Sequence, residues 1–217
     1  MQWRVQTVIF DLDGVLIDSG KDIANAVNFT LQTLGRPTLP SEQIIGYIGP
    51  GIEGIWHQCL GVDAEQLLNV ALPIYKARYR EYCVVETTFY PGIPETLSQL
   101  KSRGKIMAVA TNKPEVFTRR ILEGLNLASY FDVVVGAESV QRKKPDPEAI
   151  QLILAKLGAS PETTLVVGDA NTDIQAAKAA KTISCGVTYG YGSRQEILEA
   201  YPDFVIDRAE ELSRLIL

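Results

Sequence analysis

Val5-Gln6-Thr7-Val8-Ile9-Phe10 runs directly into Asp11-Leu12-Asp13-Gly14-Val15. The first six residues are rich in β-branched and aromatic side chains, and they stop at an acidic turn closed by glycine, so they read as a buried strand ending in a polar loop. Comparable short apolar runs recur at Ile106-Met107-Ala108-Val109-Ala110, Val133-Val134-Val135, Leu165-Val166-Val167, Ile183-Ser184-Cys185-Gly186-Val187 and Phe204-Val205-Ile206. Each is followed by Gly, Asp or Thr. Between them lie stretches with apolar residues at three-and-four spacing: one from about Pro91-Gly92 to Gly104, one from Pro114 to about Leu125, one from Asp146-Pro147-Glu148 to Gly158, and one following Asn171-Thr172-Asp173. Repeated strand-helix alternation demands right-handed crossovers and a parallel sheet covered on both faces, with ligands bound at the carboxyl ends of its strands. The expected fold class is α/β.

The stretch from about Ile17 to Val85 breaks this rhythm, because helical signals follow one another there without another strand. Ser19 is a candidate cap for a helix ending at Gly35, and Asp63 with Gln66 forms a capping-box pattern for a helix running to about Tyr82. So long a helical segment far exceeds one βα crossover, which implies an inserted helical cap. The expected division is a core of residues 1–16 and 86–217 and a cap of residues 17–85.

Composition narrows the chemistry. With 46% hydrophobic and 22% charged residues the 217-residue chain is that of an ordinary folded protein, and a net charge of -5 provides no basic field for nucleic acid. The amino end, Met1 to Thr7, has no long apolar run, and no later stretch approaches the roughly 18 to 20 apolar residues that span a bilayer. A cytoplasmic protein without a membrane partner is expected. Three widely spaced cysteines, Cys59, Cys83 and Cys185, fit neither a disulfide framework nor a CxxC metal site. With His57 as the one histidine, the chemistry falls to carboxylates, hydroxyls and lysine.

Four segments carry candidate chemistry, and each also has an ordinary structural reading. In Asp11-Leu12-Asp13-Gly14, two carboxylates two residues apart can divide labour: Asp11 as nucleophile, Asp13 as proton donor and then base. Asp and Gly are also common turn formers. Thr111-Asn112-Lys113 precedes the Pro114 helix, so the Thr111 hydroxyl, Asn112 and nearby backbone N–H groups can bind a phosphate oxygen, or Thr and Asn can simply cap the helix. In Lys143-Lys144-Pro145, the proline-held Lys144 can balance a dianionic phosphate, or the pair can be solvated. Gly168-Asp169-Ala170-Asn171-Thr172-Asp173 offers Asp169, and Asp173 either as a ligand or as an orienting group, to join Asp11 and the Asp13 backbone carbonyl around Mg²⁺. All four fall at carboxyl ends of expected strands, so a parallel sheet would gather them into one crevice.

Together, Phe10 to Val15 (FDLDGV), Thr111, Lys144-Pro145 and Gly168 to Asp173 (GDANTD) resemble the haloacid dehalogenase superfamily, whose four motifs are present in order along the chain. The resemblance implies a Rossmann-like core, an inserted helical cap, Mg²⁺ as cofactor, and an aspartyl-phosphate mechanism with Asp11 as nucleophile and Asp13 as acid/base. Asp at position 13 separates the chain from the dehalogenases and phosphonate-cleaving members, which lack it. Thr111-Asn112-Lys113-Pro114, Asp18-Ser19 and the glycine-rich Ile48-Gly49-Pro50-Gly51 are similar to the phosphoglycolate phosphatases. That subgroup often carries an arginine before the cap glycine loop, where this chain has Gly46-Tyr47. Tyr47, Gly49 and Gly51 are the candidate selectors of a small phosphorylated metabolite. Rival readings are a sugar phosphomutase, against which the absence of histidine between Ser19 and Leu34 argues, a pyrophosphatase or sugar-phosphate phosphatase, and a non-catalytic binding protein. The oligomeric state stays open between monomer and homodimer.

Overall fold

A strand buried on both faces sends successive side chains into two separate apolar surroundings. β1 (Thr7–Phe10) does this: Val8 and Phe10 enter one core cluster and Ile9 the other. The computed structural model describes residues 4–216; Met1, Gln2 and Trp3, which open the amino-terminal stretch considered above, and Leu217 lie outside the described residues. After β1 come β2 (Ile17–Asp18), α1 (Gly20–Thr33), α2 (Ser41–Ile45), α3 (Ile52–Leu60), α4 (Ala64–Tyr82) and β3 (Thr88–Phe89). The chain then alternates through α5 (Ile93–Ser102), β4 (Ile106–Ala110), α6 (Glu115–Gly124), β5 (Val133–Val135), α7 (Glu148–Leu157), β6 (Thr164–Gly168), α8 (Asn171–Ala179), β7 (Ile183–Val187), α9 (Arg194–Glu199), β8 (Phe204–Ile206) and α10 (Leu212–Leu215).

Six strands form one parallel sheet in the order β5-β4-β1-β6-β7-β8. β1 lies between β4 and β6, with Ile9 opposite Ala108 on one side and Val166 on the other. The chain winds outward from β1 in both directions, so the carboxyl ends of β1, β4 and β6 meet at the topological switch point, where α/β sheets open a crevice. The two-face pattern repeats in its neighbours: Met107, Val109, Leu165 and Val167 join the core of Val8 and Phe10, while Ala108, Ala110 and Val166 join that of Ile9. β1 starts at Thr7 rather than Val5, although Gln6 still donates its N–H to the Thr163 carbonyl at 2.8 Å.

The segment expected to be purely helical leaves and re-enters through a short ribbon. Ile17 pairs antiparallel with Phe89 and Asp18 with Thr88, so the segment does hold a strand, β2, too short for any periodicity to reveal. Buried Asp22 on α1 ties the returning chain down: its carboxylate accepts the backbone N–H groups of Val85, Glu86 and Thr87 and the Thr87 hydroxyl, all at 2.8 to 3.1 Å. An aromatic chain then joins these helices to the sheet's own helix layer. Trp56 on α3 meets Tyr75 on α4 edge to face, Tyr75 stacks on Tyr79, and Tyr79 meets Phe117 on α6 edge to face, with centroids 5.2 to 5.9 Å apart. Such pairs each add about 0.5–1.5 kcal/mol beyond the area they bury. Tyr79 is thereby fixed over the loop that follows β4.

Two expected helix caps do not form. Ser19 and Asp63 precede α1 and α4 without a capping side-chain hydrogen bond: the Ser19 hydroxyl turns to Asp13 at 2.5 Å, and Asp63 pairs with Arg36 at 2.8 Å. In both cases a charged partner from elsewhere in the fold offers a stronger contact than a neutral cap bond. Among the described residues no helix is long and apolar enough to cross a membrane.

Candidate active site

The acidic turn after β1 projects at the switch point, and backbone geometry holds it there. Asp11 donates its N–H to the Val167 carbonyl at 2.9 Å, and its Oδ1 accepts the Leu12 N–H at 2.7 Å. Gly14 has φ +83°, and a Cβ there would lie 1.9 Å from Asp169 Oδ2, so only glycine allows the turn to press against the loop after β6.

One side of the turn is crowded with negative charge. Oxygens of Asp11, Asp169 and Asp173 lie within 4.8 Å of one another. Lys144 is the cation among them: its Nζ is 3.0 Å from Asp11 Oδ1 and 2.6 Å from Asp173 Oδ1, and it donates to the Ala110 carbonyl at 2.9 Å. Asp173 also accepts the Ala170 N–H at 3.1 Å, while Asp169 Oδ2 accepts the N–H of Tyr191 at 2.7 Å and of Gly192 at 3.3 Å. Burial pushes the Asp169 carboxyl up to about 8, with the charges of Asp173 and Asp11 adding to it. Asp11 is pushed up to about 6, again mainly by burial; Lys144 pulls it back and Asp173 raises it. Burial works against the Lys144 ammonium, but Asp11 and Asp173 outweigh it and hold the lysine above its ordinary range. Three carboxylates around one ammonium leave an unbalanced negative pocket of hard oxygen donors, the donor set that suits Mg²⁺.

The other side of the turn is balanced. Both oxygens of Asp13 receive Lys113 Nζ at 2.8 Å, and Oδ1 also accepts the Ser19 hydroxyl. The Asp13 carboxylate thus faces away from the acidic cluster, which leaves only its backbone carbonyl for the metal role expected of it. Buried Thr111 follows β4 and its Oγ1 accepts the Lys113 N–H at 3.2 Å. The Asn112 side chain is engaged as a bracket: Nδ2 donates to the carbonyls of Gly49 at 3.0 Å and Lys144 at 3.3 Å, and Oδ1 accepts the Lys144 N–H at 3.0 Å. Any phosphate contact of Asn112 therefore falls to its backbone.

These groups line one cavity of about 330 Å³, which includes Asp11, Asp13, Thr111, Lys113 and Asp169 from the sheet edge and Ile52, Ile55, Tyr75 and Tyr79 from the helices above. Gly49 and Gly51 line it as well. Tyr47 does not; its hydroxyl accepts the Gln43 Nε2 at 2.6 Å on an exposed face, because four residues separate the two on one helical turn. Lys113 stood in a candidate segment without a role of its own, and the Tyr191 loop was not singled out in the sequence. A lysine in a capping segment carries no mark of its partner, and Asp13 is 100 residues away. Gly190-Tyr191-Gly192 had one available sign, two glycines flanking an aromatic directly after a strand. A Cβ at Gly190 would lie 2.3 Å from the Gly14 carbonyl.

Comparison with known proteins agrees with this geometry. Residues 8–187 match the family model of haloacid dehalogenase-like hydrolases. The chain is 37% identical over 217 residues to a phosphoglycolate phosphatase of Nitrosospira multiformis, covering 98% of this chain and 96% of that protein. It is 38% identical over 212 residues to a phosphoglycolate phosphatase of Aquifex aeolicus, covering 98% and 97%. A solved structure of a predicted phosphoglycolate phosphatase from Haemophilus somnus 129pt superposes with a TM-score of 0.90 at 28% identity, covering 97% of each chain.

Proposed function

The chain belongs to the haloacid dehalogenase-like hydrolase family and is a phosphatase of that family, and on that premise we propose that it is a Mg²⁺-dependent phosphomonoesterase acting on 2-phosphoglycolate through a phosphorylated Asp11. The observation that carries this reading is the asymmetric turn itself: Asp11 lies against Lys144 in an acidic pocket, while Asp13, two residues on, lies outside that pocket with Lys113 and Ser19. One carboxylate is set for attack and the other for proton traffic.

Asp11, Asp169 and Asp173 would hold Mg²⁺, and the ion would supply positive charge against the phosphate oxygens. The chain's own groups account for the rest. Beside the Lys144 ammonium at 3.0 Å, the Asp11 carboxylate oxygen can attack phosphorus. The Thr111 hydroxyl holds a phosphate oxygen in line with that attack, and the fixed Lys144 charge beside Asp11 offsets the repulsion between carboxylate and phosphate. As the bond from Asp11 to phosphorus forms, the ester bond breaks and Asp13, entering the step with the proton it recovers at the end of each turnover, donates it to the leaving oxygen. Asp13 then takes a proton from water as the water oxygen attacks phosphorus, releasing phosphate and restoring Asp11. Residues 17–85 serve as the cap, with Gly49 and Gly51 closing on the sheet edge, and expel bulk water. Tyr47 stays outside that contact. Hydrolysis rather than transfer is supported by the position of His57, exposed on α3 and away from the cavity lining, since a mutase needs a group to shuttle its proton there.

Asp11→Asn is expected to abolish Mg²⁺-dependent release of phosphate from p-nitrophenyl phosphate, by a factor of about 10⁴ or more. Undiminished release in that variant would overturn the mechanism.

A further inference from the structure

We infer that Tyr191 is a positioning residue for Asp13: its hydroxyl fixes Ser19, and the Ser19 hydroxyl in turn aims the carboxyl group that serves the leaving oxygen. This rests on the proton-transfer role given to Asp13 above and adds to it the residues that hold that group in place.

Ser19 is buried where β2 gives way to α1, at the entrance to the helical segment. Its Oγ donates to Asp13 Oδ1 at 2.5 Å, beside the Lys113 ammonium that both Asp13 oxygens receive. A side chain this short aims a carboxylate only as well as its own backbone is held. The Ser19 N–H precedes the first turn of α1 and has no intrahelical acceptor. It donates instead to Tyr191 Oη at 2.7 Å, and the Tyr191 hydroxyl passes its own proton to Asp18 Oδ1 at 2.9 Å. One phenol oxygen thus grips two successive residues of the hinge.

The loop that carries this phenol is anchored in the acidic pocket. Tyr191 and Gly192 donate their backbone N–H groups to Asp169 Oδ2, and a Cβ at Gly192 would lie 1.8 Å from the Asp169 carbonyl oxygen, so the loop lies flat against the end of β6. Tyr189 adds a hydrogen bond from its hydroxyl to the Val15 carbonyl at 3.2 Å. Tyr191 therefore meets Asp169 with its backbone and the support of Asp13 with its side chain. Removing the hydroxyl leaves the first contact intact and cuts only the second. A buried N–H left without an acceptor shifts to find one, and Ser19 Oγ shifts with it. A proton donor displaced by a fraction of an ångström loses its alignment with the leaving oxygen.

The test compares kcat/KM for phenyl phosphate and p-nitrophenyl phosphate in the Mg²⁺-loaded enzyme. Tyr191 lines the cavity, and because the two esters have nearly one shape, any direct contact it makes with them cancels. This parameter reports the steps up to cleavage of the ester bond, and of the two leaving groups phenoxide, whose conjugate acid resembles tyrosine with a pKa of about 10, depends far more on a donated proton. Tyr191→Phe should lower the phenyl value about 10-fold and the p-nitrophenyl value less than about 2-fold. Ser19→Ala should give the same split, and the double variant no more than either alone. The thermal shift that Mg²⁺ produces should be unchanged in Tyr191→Phe. Equal losses on the two esters, or a lost Mg²⁺ shift, would make the hydroxyl a support for the loop and overturn the inference. If Tyr191→Phe does not fold, Ser19→Ala decides, and equal losses there overturn it. Asp13→Ala separates this inference from the reading beneath it. Without a split in that variant, Asp13 is not the acid and both fail; with a split there and none in the Tyr191 and Ser19 variants, only the positioning role fails.

Discussion

Lys144 and Lys113 stand on opposite sides of the acidic turn, both almost fully buried, and the two regions treat their charge differently. Lys144 gives its three donors to Asp11, Asp173 and the Ala110 carbonyl, so nothing about it is left to respond to a ligand. Around it, three carboxylates against one ammonium leave a surplus of negative charge. Around Lys113 the charges match one to one, with both Asp13 oxygens on its ammonium and the Tyr79 ring against it. A saturated lysine in an acidic surplus is a fixed charge in a site built for cations and phosphoryl oxygens. A lysine in a balanced region holds one carboxylate in place. One buried cation stands beside Asp11, and the other positions Asp13.

The comparison breaks most visibly if the two lysines prove equally important for folding. Lys144→Met leaves Asp11 and Asp173 facing each other inside the protein with no ammonium. Losing one partner of a buried ionic group typically costs about 3–5 kcal/mol. In metal-free urea unfolding Lys144→Met should lose about that much, and phosphate release should fall below detection. Lys113→Met leaves Asp13 with the Ser19 hydroxyl and partial access to the cavity, so its loss should be about half as large. Equal losses would remove the distinction.

The negative surplus makes a second prediction about pH. Asp169 and Asp11 have folded-state pKa values of about 8 and about 6, above the ordinary carboxylate value of 3.8. A carboxyl raised by folding favours the folded state while protonated. That contribution is complete below the unfolded value and is lost as pH rises through the folded value. The metal-free protein should therefore lose stability steadily between about pH 4 and pH 8. Mg²⁺ should flatten this slope by balancing the charge. Asp169→Asn should flatten it without metal and should also erase the thermal shift that Mg²⁺ produces. A metal-free protein most stable at pH 8 would contradict the surplus.

These regions were unequally legible in the sequence. Unbroken apolar runs such as Ile106-Met107-Ala108-Val109-Ala110 report strands buried on both faces, and the polar residues that stop them report the functional edge of the sheet, so the parallel core and the cluster of Asp11, Asp169 and Lys144 could be anticipated from local pattern. Ser19 and Asp63 had the right chemistry for caps, and tertiary partners displaced the local bonds. Asn112 looked like a phosphate donor and is a bracket between Gly49 and Lys144, a role that depends on two loops distant in the chain. The role of Lys113 was hidden for the same reason, since its partner Asp13 lies 100 residues away. Two-residue strands such as β2 and β3 are shorter than any period that could announce them.

The smallest predicted effect concerns a third lysine, next in sequence to Lys144 and unlike it in surroundings. Lys143 forms an ion pair with Glu53 at the start of α3, bridging the loop before α7 to the helices above the cavity. Both side chains are substantially exposed, at 30% and 51%, so water and salt screen the pair. Lys143→Ala should change stability by no more than about 1 kcal/mol. Its effect belongs in binding, because the pair lies beside Gly51, whose loop Asn112 also holds through Gly49. KM should rise about two- to threefold with kcat unchanged, and the rise should vanish in high salt. Glu53→Ala should reproduce it, and the double variant should add nothing, since both remove one interaction. A fall in kcat instead would mean that this exposed bridge sets the alignment at Asp11. That would contradict the separation of roles in which buried, saturated Lys144 fixes the chemistry and its neighbour only helps to hold the lid.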